Sequence, residues 1–150
     1  MELILWRHAE AEEGVPDMAR KLTAKGEKQA EKMAAFLRMR LPQDTRILVS
    51  PSVRTQQTIR ALTRQFDTVP DIGPGADPQA VLKAAGWPDG KEIVLVVGHQ
   101  PYLGEIAALL MADSNISFNI KKGAVWWLSR RDRKGDSETI LRLAVAPDLL

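Results

Sequence analysis

"LILWRHAEAE", residues 3–12, runs from four apolar residues straight into Arg7, His8 and a set of acids. A continuous apolar run without alternation is the pattern of a strand covered on both faces. Two further runs, Ile47–Val49 and Ile93–Val97, have the same character. Between them lie helical spacings. After Thr23, a good N-cap, come Ala30, Met33, Ala34, Leu37 and Leu41. Ser50–Pro51 reads as a cap followed by a first helical residue, ahead of Ile59, Leu62 and Phe66. Asp77–Pro78 repeats that start signal before Val81, Leu82 and Ala85, with Gly86 as the stop. Gln100–Pro101 precedes Leu103, Ile106, Ala107, Leu110 and Met111.

The C-terminal part changes character. Ala124–Leu128 and Thr139–Val145 read as strands flanking a charged loop, "RRDRKGDSE", and so as an antiparallel hairpin. Alternating strands and helices closed by a hairpin predict an α/β fold, a three-layer α/β/α sandwich whose mostly parallel sheet has an antiparallel edge. No repeat or interior linker is visible; the Pro- and Gly-rich segment Asp67–Gly75 is too short to divide the chain. One domain over residues 1–150 is expected.

Composition narrows the chemistry. Cysteine is absent, which removes disulfides, a thiolate nucleophile and a Cys-based zinc site. The net charge is only +2 and no Lys/Arg block stands out, so no nucleic-acid partner is expected. Leu3–Trp6 is too short for a signal core, and no stretch approaches a spanning helix. A soluble, cytoplasmic protein with no membrane partner is expected.

The chain has two histidines, and each follows an apolar run directly: His8 after the first, His99 after "EIVLVVG". In open α/β sheets, ligand sites form beyond the carboxyl ends of the strands. A third segment, "ILVSPSVRTQQT", puts Arg54 in the first turn of a helix, whose start already favours anions. Arg7, His8, Arg54 and His99 therefore converge on one sheet edge. Two guanidiniums repel a cation, and two histidines without carboxylates at ligand spacing make a poor metal site, so no metal and no cofactor are expected. Arginine forks match the oxygens of a phosphoryl group. No P-loop is present, which argues against a nucleotide cradle.

Four segments resemble, in order, those of the histidine phosphatase superfamily, the phosphoglycerate mutase-like fold. "LILWRHAEAE" resembles its RHG signature, "LTAKGEKQA" its LTxxGxxQA helix start, and "LVSPSVRTQQT" its SPxxRxxQT segment. "VLVVGHQP" is similar to the strand carrying its second histidine. With no long insertion between the strands, the chain most resembles the SixA-like phosphohistidine phosphatases. The resemblance implies a metal-free phosphatase working through a covalent phosphohistidine. His8 would be the nucleophile, and Arg7, Arg54 and His99 the phosphate pocket. Ser50 has two readings, a pocket hydroxyl and a plain N-cap; Thr23 reads as a cap. Glu10 is the candidate proton donor, against the reading of "EAEE" as a solvated acidic loop. The charge state of His99 is open. Ala9 departs from the RHG glycine and is tolerated where the backbone avoids the left-handed region. Gln100 replaces the acid usual in the acid phosphatase and phytase branch, which disfavours that branch.

An uncapped site suits a phosphorylated side chain on another protein, such as a phosphorelay histidine domain. Small phosphomonoesters are the alternative substrate class, and a non-catalytic phosphate-binding module the alternative function. Trp126–Trp127 in a strand points one indole to each face, and Arg20 and Lys21 read as a solvated face.

Overall fold

The computed structural model describes residues 1–150. Strand β1 (Glu2–Arg7) is followed by helix α1 (Ala24–Arg38), β2 (Arg46–Val49), α2 (Val53–Arg60) and a two-residue strand β3 (Asp67–Thr68). Then come α3 (Pro78–Ala85), β4 (Ile93–Gly98), α4 (Tyr102–Ala112) and the hairpin β5 (Val125–Arg133) and β6 (Asp136–Val145). The six strands form one sheet in the order β3-β2-β4-β1-β5-β6. β1, β2, β3 and β4 are parallel, and β5 and β6 add the antiparallel edge.

Alternation along each strand sorts the core into two layers. Leu3, Leu5, Leu48, Val94 and Val96 pack with Val81, Leu82 and Ala85 of α3 and Leu103, Ile106 and Ala107 of α4. Ile4, Trp6, Val49, Leu95 and Val97 face the other way, against Met33, Ala34 and Leu37 of α1 and Ile59 of α2. Both faces are thus covered, which is why these strands are apolar throughout. The fold is the expected α/β/α sandwich. Trp127 is buried in the second layer, while Trp126 is half-buried against Phe118, ring centroids 5.6 Å apart.

Three helix ends follow the residues expected of them. Thr23 Oγ1 accepts from the Gly26 N–H and Asp77 from the Gln79 N–H. Gly86 ends α3 at φ 76°. Two expectations need correction. Ser50 does not cap α2: its N–H still bonds Val97 O, as a continuation of the sheet, and the cap is Ser52, whose side chain accepts from the Thr55 N–H. The charged loop is mostly strand. Only Lys134 and Gly135 turn, both at positive φ, and Arg131 pairs with Glu138 across the ladder at 2.8 Å. This tip projects beyond the core, so its exposed faces carry no apolar alternation to reveal it.

Candidate active site

β1, β4 and β2 are neighbours, and their C-terminal ends coincide: Arg7 pairs with Gly98, and Val49 with Val97. The residues that follow are His8, His99 and Ser50. His8 remains tied to the sheet through its N–H to Gly98 O, and its rim is closed by the Gly123 N–H donating to His8 O. Arg54 reaches the same place from the first turn of α2. The structure therefore brings Arg7, His8, Ser50, Arg54 and His99 together.

The hydrogen bonds assign the tautomers. His8 Nδ1 lies 2.7 Å from Ala9 O, a carbonyl that can only accept, so Nδ1 carries the proton. The lone pair of His8 is therefore on Nε2. Arg54 Nη2, which can only donate, lies 3.4 Å from His99 Nδ1. His99 Nε2 then carries the hydrogen and donates to Ser50 Oγ at 2.7 Å. The Ser50 hydroxyl is thus an orienting partner of His99. The two imidazole centroids are 5.3 Å apart.

Burial governs the charges. His8 is 7% and His99 2% exposed. Desolvation is the main cause that pushes His8 down to about 4, with Arg54 and Arg7 adding to it against the Ala9 hydrogen bond. Desolvation, then the neighbouring His8 and Arg54, push His99 down to about 3. Both rings are neutral near pH 7.

The guanidiniums are only partly satisfied. Arg7 Nη1 donates to Ile120 O at 2.8 Å, and Arg54 Nη1 and Nη2 donate to Asp17 O and Oδ2 at 2.9 and 3.1 Å. The Nε–H groups of both arginines are buried without an acceptor, a costly state for a charged donor. No group of three His, Cys, Asp or Glu is arranged to hold a metal ion. A surface recess of about 490 Å³ beside Arg38, Arg46 and Phe66 includes none of these residues.

Glu10 is placed differently. Its carboxylate accepts from Thr23 Oγ1 at 2.8 Å and its N–H donates to Gln29, so it joins the loop after His8 to the start of α1. No hydrogen bond links it to the histidines or arginines of the site. Ala9 is buried and is not among the residues at positive φ. Thr58, not expected from the sequence, holds this turn: its Oγ1 accepts from the Ala9 N–H and donates to Arg54 O. Asp17 was also not expected. It forms an i, i+3 pair with Arg20 that sequence spacing could have suggested, but nothing local points it toward Arg54.

This arrangement, on this fold, defines a class. The chain belongs to the histidine phosphatase superfamily, whose branch 1 matches residues 3–76. It is 36% identical over 139 residues to the phosphohistidine phosphatase SixA homolog of Haemophilus influenzae, covering 79% of this chain and 82% of that one. Identity to phosphohistidine phosphatase SixA of Escherichia coli is 30% over 120 residues, covering 73% and 74%. The structure of the protein histidine phosphatase SixA complexed with tungstate superposes with a TM-score of 0.82, covering 99% of each chain at 24% identity, and shares the fold. No helix is long and apolar enough to cross a membrane.

Proposed function

We infer that this phosphatase hydrolyses protein phosphohistidine through a phosphoryl group carried transiently on His8. The observation that carries the reading is the tautomer of His8. Its Nδ1–H is committed to Ala9 O, which leaves an unprotonated Nε2 on a buried ring whose charged form the neighbouring Arg54 and Arg7 oppose. A neutral, oriented imidazole is a nucleophile; an arginine fork stabilises the equatorial oxygens of a transferring phosphoryl group.

In the first step His8 Nε2 attacks phosphorus in line. The N–P bond to the leaving imidazole breaks, and that imidazole takes a proton from solvent. Arg7, Arg54 and His99 hold the three equatorial oxygens. In the second step water attacks the phosphorus of phospho-His8, loses its proton to solvent, and returns His8 with release of phosphate. These side chains supply the charge stabilisation without a metal. To donate to an oxygen His99 takes a proton at Nδ1, a charged form that the arriving anion favours and that desolvation, His8 and Arg54 oppose in the ligand-free site.

The substrate class rests on the leaving group and on the relatives. Imidazole leaves more readily than an alkoxide, so an N–P bond asks for no committed general acid. Glu10, as the donor, would exchange its Thr23 hydrogen bond for the leaving group; we assign it instead to anchoring α1. The two curated relatives named above are both called phosphohistidine phosphatases.

The test is to incubate the protein with a histidine-phosphorylated protein and to trap the enzyme. An acid-labile, alkali-stable phosphoenzyme is expected, and His8→Ala should lose labelling and turnover together. Labelling of His8→Ala at the wild-type level overturns the covalent route. Faster turnover of sugar phosphates than of phosphohistidine protein overturns the substrate. Phosphate binding with no turnover of either returns the protein to a binding module.

A further inference from the structure

Lys121 and Lys122 sit in a loop bracketed by two hydrogen bonds to the site. On one side Ile120 O accepts from Arg7 Nη1, and on the other the Gly123 N–H donates to His8 O. This loop abuts α1, since a Cβ on Gly123 would lie 3.4 Å from Gln29 Cβ. Gln29 in turn receives the Glu10 N–H, two residues past His8. The N-terminal half of α1 is therefore part of the rim.

From there the helix carries Lys25, Lys28 and, just past its midpoint, Lys32 at three- and four-residue steps, which places them on one face. They line a shallow recess of about 250 Å³ with Gln29, Pro147 and Asp148. All five lysines are exposed. Asp148 is the one acid lining this recess, and it pairs with Lys121 at 3.5 Å. The face itself is therefore positive, with Glu27 and Glu31 turned to the helix's other flank.

We propose that Lys25, Lys28, Lys32, Lys121 and Lys122 form a docking surface for a partner protein whose phosphorylated histidine is flanked by acidic side chains. The inference rests on the reading of protein phosphohistidine as substrate. The surface borders His8 and Arg7, so a partner seated on it presents its own histidine to the site. Complementary rim charge acts mainly on encounter and is screened by salt. The lysines contribute capture of the partner, while the chemistry stays with the buried residues.

The experiment compares wild type with Lys25→Glu/Lys28→Glu/Lys32→Glu and with Lys121→Glu/Lys122→Glu. Glutamine versions serve where a glutamate variant does not fold. Three substrates are used: a histidine-phosphorylated phosphotransfer protein with acids around its histidine, the same protein with those acids changed to lysine, and free N-phosphohistidine. At low salt, kcat/KM on the acidic protein should fall about tenfold or more in the reversed variants and recover on the lysine-bearing protein. Turnover of free N-phosphohistidine should stay within about twofold, and the wild-type advantage on protein should fade with added salt.

Unchanged kcat/KM on the acidic protein overturns the docking surface, and so does an equal loss on free N-phosphohistidine. Loss of binding to a single-stranded oligonucleotide with protein turnover intact reassigns the patch and overturns it as well. Wild type that hydrolyses free N-phosphohistidine but no phosphohistidine protein instead refutes the substrate reading, and the docking surface falls with it.

Discussion

Asp17 holds Arg54 with two different atoms: its carbonyl takes Nη1 at 2.9 Å, and its carboxylate takes Nη2 at 3.1 Å. The same carboxylate reaches Arg20 through its other oxygen. An exposed acid thus occupies donors on a guanidinium that is itself only 5% exposed in its side chain. Arg20 first, and then Arg54, keep the Asp17 carboxyl below the ordinary range, so it is charged at neutral pH. On the function proposed above, a phosphoryl group and the Asp17 carboxylate compete for Arg54.

Neutralising that rival should favour anions. Asp17→Asn is expected to tighten competitive inhibition by inorganic phosphate about three- to tenfold, roughly 1 kcal/mol for a partly solvated charge. Inhibition constants of the two proteins decide it. Equal or weaker binding in Asp17→Asn means that the carboxylate organises Arg54 for the ligand instead.

The buried imidazoles set the acid limb. With His8 near 4 and His99 near 3 in the ligand-free protein, kcat/KM should hold as pH falls through the ordinary histidine value of 6.5 and drop only around pH 4. Stability moves in the same direction. The unfolded chain protonates both rings near 6.5 while the folded one does not, so the unfolded state binds more protons between these values. The contribution is whole above pH 6.5 and drains as pH falls toward 4 and 3, by on the order of a few kcal/mol. Denaturant midpoints across this range measure it, and a flat profile contradicts the burial argument.

Ser50→Ala removes the acceptor of the His99 Nε2–H and leaves a buried donor unpaired. An activity loss of about tenfold is expected from the misoriented ring, with stability lowered by about 1–3 kcal/mol. Wild-type turnover in Ser50→Ala shows that His99 is held well enough by Arg54 alone.

Glu10→Gln keeps the atom that accepts from Thr23 and removes the acid. Turnover of phosphohistidine within about threefold of wild type is expected, since an imidazole leaving group needs little protonation by the enzyme. A loss of about a hundredfold or more, with normal thermal stability, restores Glu10 as the proton donor.

Gly98, the last residue of β4, has no room for a side chain: a Cβ there would overlap Tyr102 Oη, which donates to Ile72 O at 2.7 Å. Gly98→Ala should cost about 1–3 kcal/mol and several degrees in Tm. Adding Tyr102→Phe should return part of that loss, because the nearest clashing atom is gone while the ring carbons at 2.7 and 2.9 Å remain. Additive losses in the double variant place the strain elsewhere.

Much of this was readable beforehand, for a physical reason. Strands covered on both faces announce themselves as unbroken apolar runs, and the residues that end those runs are the ones the sheet edge presents. Arg7, His8 and His99 follow from that rule alone, and Arg54 from its place in the first helical turn. What escaped depends on contacts distant in sequence. Asp17 meets a guanidinium 37 positions away. Thr58 turns back to the Ala9 N–H 49 positions before it. Of the two readings of Ser50 only the cap fails: Ser-Pro is a strong local start signal, while the sheet keeps hold of its N–H and its hydroxyl meets His99. The hairpin tip escaped because solvent on both sides erases periodicity.

The three strands that end at the site lie side by side, with β4 between β1 and β2. Adjacent strands in any sheet stand about 4.8 Å apart, and the two imidazole centroids are 5.3 Å apart. The gauge of the reactive cluster is close to that of the backbone ladder, with side-chain partners such as Ser50 setting how each ring is turned within it. On the proposed function, a change of phosphorylated client would fall to the surrounding loops and α1, while the strand spacing beneath the site stays as it is.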